Sequence, residues 1–243
     1  MKRPAALTTI ARKTKLRRRA IKAAHKLGLP APMPPEWHRA AVGGMWEEIG
    51  QFQFDFLVSE GLAPEHYLLD VGCGSLRGGV HFVKYLEAGH YFGLDHNPRL
   101  LDAGRSELER AGIADKRPVL LADDNFRLVR FAQSFDFALA QSLFTHLPFN
   151  QIARCVAEID RVLKPGGRFY ATLFANPGPR LRTDTFPVRV DRPLDINLDK
   201  DPFYYDPDIF RWLCEGSDLS FDYRGDWGHP RYQHMMVFTK QGA

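Results

Sequence analysis

The sequence predicts a single α/β domain on a doubly wound, mostly parallel sheet. Two observations predict it. From residue 67 onward, short apolar runs alternate with amphipathic stretches. A glycine-rich turn also follows directly on the first of those runs. Near-continuous apolar strands separated by helices bury both faces of a sheet and therefore pair in parallel. A chain of 243 residues is long enough for one such domain with a sizeable core, plus a short appendage.

The elements follow in order. Residues 4–28 read as a basic, helix-prone arm. Leu7, Ile10, Thr14, Ile21, Ala24 and Leu27 fall near one face, and Arg12, Lys13, Lys15, Arg17, Arg18, Arg19 and Lys22 crowd its middle. Pro30, Pro32, Pro34 and Pro35 end any helix there and mark a linker, so residues 1–35 stand apart from a domain over 36–243. A helix is expected from about Met45 to Ser59, with Gly61 just past its end. Tyr67 to Val71 reads as the first strand and Gly79 to Leu86 as a helix. Tyr91 to Asp95 is the second strand, and Pro98 opens a helix that stops at Gly112. Val119 to Leu121 and Phe135 to Ala140 are the third and fourth strands. Ile152, Val156, Ile159 and Leu163 keep helical spacing up to Lys164-Pro165-Gly166-Gly167, and Arg168 to Phe174 is the fifth strand. Residues 175–205 show no clear period. Asp206 to Glu215 reads as a helix with Asp206 as a cap and Pro207 in its first turn. Leu219 to Tyr223 and Met235 to Thr239 then form an antiparallel hairpin.

Composition narrows the function classes. Hydrophobic content of 44% with 26% charged residues is ordinary for a globular protein, and no apolar run is long enough to span a bilayer. The basic N-terminus has no apolar segment after it, so a secretory signal is not expected. Cys73, Cys155 and Cys214 are an odd count without ligand spacing, which suits free thiols in a reducing cytoplasm. No CxxC or HExxH occurs, and no bound metal is expected. Residues 1–35 hold ten Lys or Arg and no Asp or Glu, while the whole chain is only +4, so the remainder is net acidic. The arm reads either as a solvated tail or as a contact for nucleic acid, acidic lipid or an acidic partner.

The chemistry concentrates in Asp70-Val71-Gly72-Cys73-Gly74-Ser75-Leu76-Arg77-Gly78-Gly79 after the first strand. Glycines there permit positive φ and close backbone approach, and loop N–H groups can hold a polar ligand. A dinucleotide fingerprint places its third glycine three residues after the second. Arg77 stands at that position. Asp95 ends the second strand, 21 residues after Gly74, where a carboxylate can accept from a ribose diol; the plainer alternative is a cap on the helix that follows.

Together, Asp70 to Gly74, Asp95, Asp123-Asp124 after the third strand and the Lys164-Pro165-Gly166-Gly167 turn resemble the class I S-adenosylmethionine-dependent methyltransferases, most nearly the bacterial small-molecule type. The resemblance implies a Rossmann-like, seven-stranded, mostly parallel sheet with an antiparallel C-terminal hairpin strand, and S-adenosylmethionine as cofactor. It places Asp70, Gly72 and Gly74 against the methionine moiety and Asp95 on the ribose hydroxyls. Asp123 would meet the adenine amino group, the Asp124 backbone N–H the adenine ring, and Gln141 and Ser142 the cofactor's amino group. Phe126 is open between adenine packing and the core.

A sulfonium methyl is already activated, so the protein has mainly to align an acceptor and exclude water, with a base only where the acceptor must lose a proton. His146, in the loop after the fourth strand, and His229, at the terminal hairpin, are the candidate catalytic residues; each has a structural alternative. Tyr204, Tyr205, Trp227 and Tyr232 are candidates for an acceptor pocket or for core packing. Residues 175–205, with Arg180, Arg182, Arg189 and Arg192, are a candidate acceptor-selecting lid. The expected activity is metal-independent methyl transfer to oxygen or nitrogen of a small molecule in the cytoplasm. The alternatives are RNA or protein methylation guided by the basic arm, and a non-catalytic cofactor-binding protein. A nicotinamide-dependent oxidoreductase is disfavoured by Arg77.

Overall fold

The computed structural model describes residue 34, residues 36–176 and residues 201–242. The basic arm and the four arginines between 180 and 192 lie outside the described residues. Residues 42–243 form one unit and residues 1–41 another. In the latter, the described part holds the short helix α1 (Trp37–Ala41).

Within the larger unit, α2 (Trp46–Ser59) precedes β1 (Leu68–Val71), α3 (Gly79–Tyr85), β2 (Tyr91–Asp95) and α4 (Pro98–Arg110). Then come β3 (Val119–Ala122), β4 (Phe135–Ala140), α5 (Phe149–Val162) and β5 (Leu163–Ala175). The chain finishes with β6 (Tyr204–Tyr205), α6 (Ile209–Trp212), β7 (Leu219–Asp226) and β8 (His234–Lys240). The strand order is β3-β2-β1-β4-β5-β8-β7, with β6 paired to β5 beside that path. β1 to β5 run parallel, β8 is antiparallel to β5, and β7 antiparallel to β8. The expected seven strands and terminal hairpin are therefore present, and the two-residue β6 makes an eighth.

Two apolar clusters sit on the two faces. One gathers Phe144, Ile152, Val156, Ile159 and Phe210 over Leu69, Phe135 and Phe169. The other gathers Leu57, Phe82, Leu101 and Leu108 over Leu68, Phe137 and Tyr170. Central strands β1 and β2 are buried along their whole length, which explains their continuous apolar runs. β3 departs from that expectation: Val119 and Ala122 are exposed because the strand is at the sheet edge.

Two local differences have clear causes. The Lys164 to Gly167 turn belongs to β5, which starts at Leu163 and shifts register against β4 between Phe135 and Phe137. A Cβ at Gly167 would lie 2.8 Å from the Lys164 carbonyl and 2.9 Å from that of Phe135, so the irregularity requires glycine. α6 is shorter than the sequence suggests. Asp206 accepts from the Asp208 N–H at 3.1 Å and caps a turn, and regular helix begins only at Ile209.

Candidate functional site

The candidate site residues among the described ones lie at or just beyond the carboxyl ends of the strands, because β1 to β5 are parallel and β7 runs with them. The order reverses between β1 and β4, and ligands of open α/β sheets bind at that point.

Gly72 and Gly74 have φ of 75° and 56°, the left-handed region that a side chain disfavours. Gly78 serves close approach instead: a Cβ there would lie 2.0 Å from the Gln53 amide of α2. The loop's N–H groups are less open than the sequence suggests. Gly72 and Cys73 donate to the Leu94 carbonyl at 2.7 and 3.0 Å, and Gly74 donates to Asp95 Oδ2 at 2.9 Å. Strand β2 thus takes three donors that a phosphate-binding loop would need.

Asp95 is buried and also accepts from the Asn97 N–H at 2.8 Å. The helix cap is Asn97, whose side chain accepts from the Arg99 N–H, so the capping alternative for Asp95 does not apply. His96 Nδ1 also lies 3.4 Å from Oδ1, and Oδ2, which accepts from the Gly74 N–H, keeps a second lone pair for a hydroxyl. Asp70 is buried and accepts from the Tyr91 hydroxyl at 2.7 Å. Burial pushes its carboxyl up to about 7; the Asp95 charge adds to the rise, while the Tyr91 bond and Arg77 oppose it.

After β3, Asp123 is heavily engaged. Its carboxylate accepts from the N–H groups of Asn125 and Arg127 and from the guanidinium groups of Arg127 (2.6 Å) and Arg130 (3.0 Å). Burial raises its pKa, but these four bonds outweigh burial and hold the carboxyl below its ordinary value. Four bonds fill a carboxylate's acceptor capacity, so an adenine amino group meeting this side chain must displace an arginine. Asp124 is exposed and accepts from the Asn125 amide at 2.6 Å. Phe126 belongs to the core.

After β4, Gln141 and Ser142 enter a buried polar network. Ser142 takes φ of 60°, donates its N–H to Thr172 Oγ1 at 2.7 Å, and donates its hydroxyl to Gln233 Oε1 at 3.0 Å. Thr172 also donates to Gln233 Oε1, at 2.7 Å. The Gln141 amide lies 2.8 Å from His229 Nε2. His229 is 3% exposed, and Trp227 stacks on it while packing against Phe52 and Phe56 of α2. Burial first, then the charges of Arg231 and Arg77, lower its imidazole to about 4. The ring is neutral at pH 7 and a weak base, and its Nδ1 accepts from the Arg231 N–H at 3.1 Å. Its two nitrogens are thus occupied by protein.

His146 differs. It ends the short turn Phe144–His146, is 59% exposed at its side chain, and has Nδ1 2.6 Å from Asp201 Oδ2. A carboxylate only accepts, so Nδ1 donates to Asp201, and Nε2 is the ring nitrogen left to act as a base. The same loop is tied to the end of the 177–200 segment: the Phe203 N–H donates to the Thr145 carbonyl at 2.8 Å, and the Asn176 N–H to that of Tyr205 at 2.9 Å. The 201–203 end of that segment is therefore anchored beside His146, and the 176 end is held to Tyr205. Sequence reading found His146 but not Asp201, 55 positions away, nor Thr172 and Gln233. Among the described residues, no group of three His, Cys, Asp or Glu is placed to hold a metal ion.

A doubly wound sheet with an antiparallel end, a glycine loop after β1 and an acidic residue closing β2 fit the Rossmann-like fold of the methyltransferases. Residues 68–167 match the family of methyltransferase domains, and the architecture is that of the S-adenosylmethionine-dependent methyltransferase fold. Among curated proteins, the chain is 30% identical over 106 residues to a probable methyltransferase from Aspergillus luteorubrus, covering 42% of this chain and 37% of that protein. It is 29% identical over 133 residues to a ubiquinone biosynthesis O-methyltransferase from Hahella chejuensis, covering 54% and 52%. The matched stretch thus spans about half or less of these relatives. Among solved structures, an amino pentose methyltransferase from Micromonospora echinaspora, with S-adenosylmethionine bound, superposes with a TM-score of 0.61 at 16% identity, covering 86% of this chain and 99% of that one. No helix among the described residues is long and apolar enough to cross a membrane.

Proposed function

We propose that this protein is an S-adenosylmethionine-dependent methyltransferase acting on an oxygen or nitrogen of a small molecule, with His146 as the general base. The cofactor supplies an activated methyl group, and this chain's residues bind, orient and take up a proton. Asp95 would accept from the ribose hydroxyls, Gly72 and Gly74 would lie against the methionine moiety, and the Asp124 N–H would face the adenine ring. The observation that carries the reading is the loop geometry: the N–H groups of Gly72, Cys73 and Gly74 are spent on β2 and are not offered to a pyrophosphate.

The His146–Asp201 contact supports the base assignment. Asp201 orients the ring and stabilises the imidazolium formed when Nε2 takes the acceptor's proton. His229 has both nitrogens engaged, so we assign it a positioning role. Residues 175–205 act as the acceptor-selecting lid, which the contacts of Asp201 and Phe203 with the His146 loop support. The test uses labelled S-adenosylmethionine with a fractionated host extract. Wild type transfers label to a low-molecular-weight fraction. His146→Ala keeps cofactor affinity and loses transfer by about 10²-fold or more, as for removal of a general base. Undiminished transfer by a folded His146→Ala variant overturns the base assignment.

A further inference from the structure

Residues 42–45, just before α2, lie against the glycine loop. The Val42 side chain seats on Gly74: a Cβ at Gly74 would lie 2.7 Å from Val42 Cγ1. Gly43, Gly44 and Met45 have φ of 90°, 70° and 48°, a run of left-handed backbone. Met45 carries a side chain that disfavours this region, and it is 38% exposed, so burial does not hold it there. Two arginines hold the stretch instead. Arg77 is buried, and its Nη1 donates to the carbonyls of Val42 (2.8 Å) and Gly44 (3.1 Å). Arg231, from the turn between β7 and β8, donates to the Gly43 carbonyl. Its guanidinium lies against Gly43, where a Cβ would come within 2.6 Å of Nη1. Successive carbonyls are thus taken by side chains from two distant parts of the chain.

The two ends of this stretch differ. On the α2 side it is fixed. The Ile49 N–H donates to the Met45 carbonyl at 3.0 Å, and α2 itself packs on the loop, where a Cβ at Gly50 would lie 2.6 Å from the Arg77 carbonyl. On the other side Val42 and two glycines are held by the arginines. A Cβ at Gly44 would meet nothing within 4 Å, so there is room to turn. The two cations also oppose each other: burial first, then the Arg231 charge, lowers Arg77 to about 10. Arg77 is buried whereas Arg231 is half-buried, so the Arg231 bond is the one that water can replace. We propose that residues 42–45 are a strap that swings off the glycine loop to admit the cofactor and closes again over it, with Gly44 and Met45 as the pivot and Arg231 as the releasable latch. The inference rests on the cofactor reading above, which puts Gly74 beside the methionine moiety.

Stopped-flow tryptophan fluorescence reads the strap, because Trp46 adjoins the pivot. S-adenosylhomocysteine is mixed with wild type, Arg231→Leu and Gly44→Val, with calorimetry for equilibrium affinity and a melting curve to confirm folding. Arg231→Leu removes the latch. Gly44→Val leaves the hairpin intact and disfavours the closed strap through the backbone alone, since a β-branched residue resists φ of 70° while its Cβ would touch nothing. It tests the same swing should Arg231→Leu not fold. Both variants should bind and release the ligand about 10-fold faster or more, with the dissociation constant within about 3-fold of wild type, because a looser strap is open for a larger fraction of the time in both directions. Unchanged association rates in both variants overturn the strap. Faster release with unchanged association also overturns it, since residues 42–45 are then a fixed wall of the site. So does acceleration in only one of two folded variants, because a moving strap is what the two changes share. A wild type that does not bind S-adenosylhomocysteine refutes the cofactor reading itself, and this inference with it.

Discussion

Asp70 and His229 titrate in opposite senses, and stability against pH should show it. The folded protein keeps a proton on Asp70 from its ordinary value of 3.8 up to about 7, where the unfolded chain has lost it, so this residue's contribution falls as pH rises through that window. His229, lowered to about 4, refuses a proton that the unfolded chain takes up below 6.5, so its contribution is lost as pH falls from 6.5 towards 4. The two oppose each other between about 4 and 6.5, and above that only Asp70 acts. Asp70→Asn should therefore gain stability relative to wild type as pH rises from 5 to 7.5, read from melting curves. Parallel curves for the two proteins would contradict the assignment. Asp95 makes a second residue-scale case. Asp95→Ala should weaken S-adenosylhomocysteine binding by about 1.5–3 kcal/mol through the lost ribose bonds. It also strands the N–H groups of Gly74 and Asn97. The ligand-free melting temperature should therefore drop as well, and an unchanged one would mean that these bonds do not brace the loop. That second effect was not legible in the sequence, which shows a carboxylate at a strand end but not what else it holds.

At the scale of elements, periodicity located the helices and the central strands well, because β1, β2 and β4 are almost wholly buried and their apolar runs are undiluted. It failed where tertiary contact decides. β6 has two residues and exists only through its pairing with Phe174 and Ala175. β5 extends through a Pro-Gly-Gly turn because the chain packs against the Phe135 carbonyl. The His146–Asp201 pair and the Ser142–Thr172–Gln233 network join residues 30 to 91 positions apart, beyond any local pattern. Arg77 was legible only as a departure from glycine, and its burial was not. The element with the most to test is the 177–200 segment. Shortening it between Asn176 and Asp201 should leave S-adenosylhomocysteine affinity within about 2-fold of wild type and abolish transfer to the native acceptor. The rationale is that long connections at the ligand end of a sheet commonly serve as lids. A folded, shortened enzyme with normal turnover and acceptor preference would remove the lid from the account.

For the whole molecule, sheet order places the described candidate groups on one edge, and the loop chemistry there separates two ligand classes that share the architecture. Dinucleotides need loop N–H groups for their phosphates. Here those donors are bonded to Leu94 and Asp95, and an arginine stands where the third glycine of a dinucleotide loop would be. The most direct test is calorimetric titration of the full chain with S-adenosylmethionine, S-adenosylhomocysteine and NAD under identical conditions. The account predicts dissociation constants in the micromolar range for the first two, about −7 to −8 kcal/mol, and at least 100-fold weaker binding of NAD. NAD binding as tightly as S-adenosylmethionine, or more tightly, would contradict it.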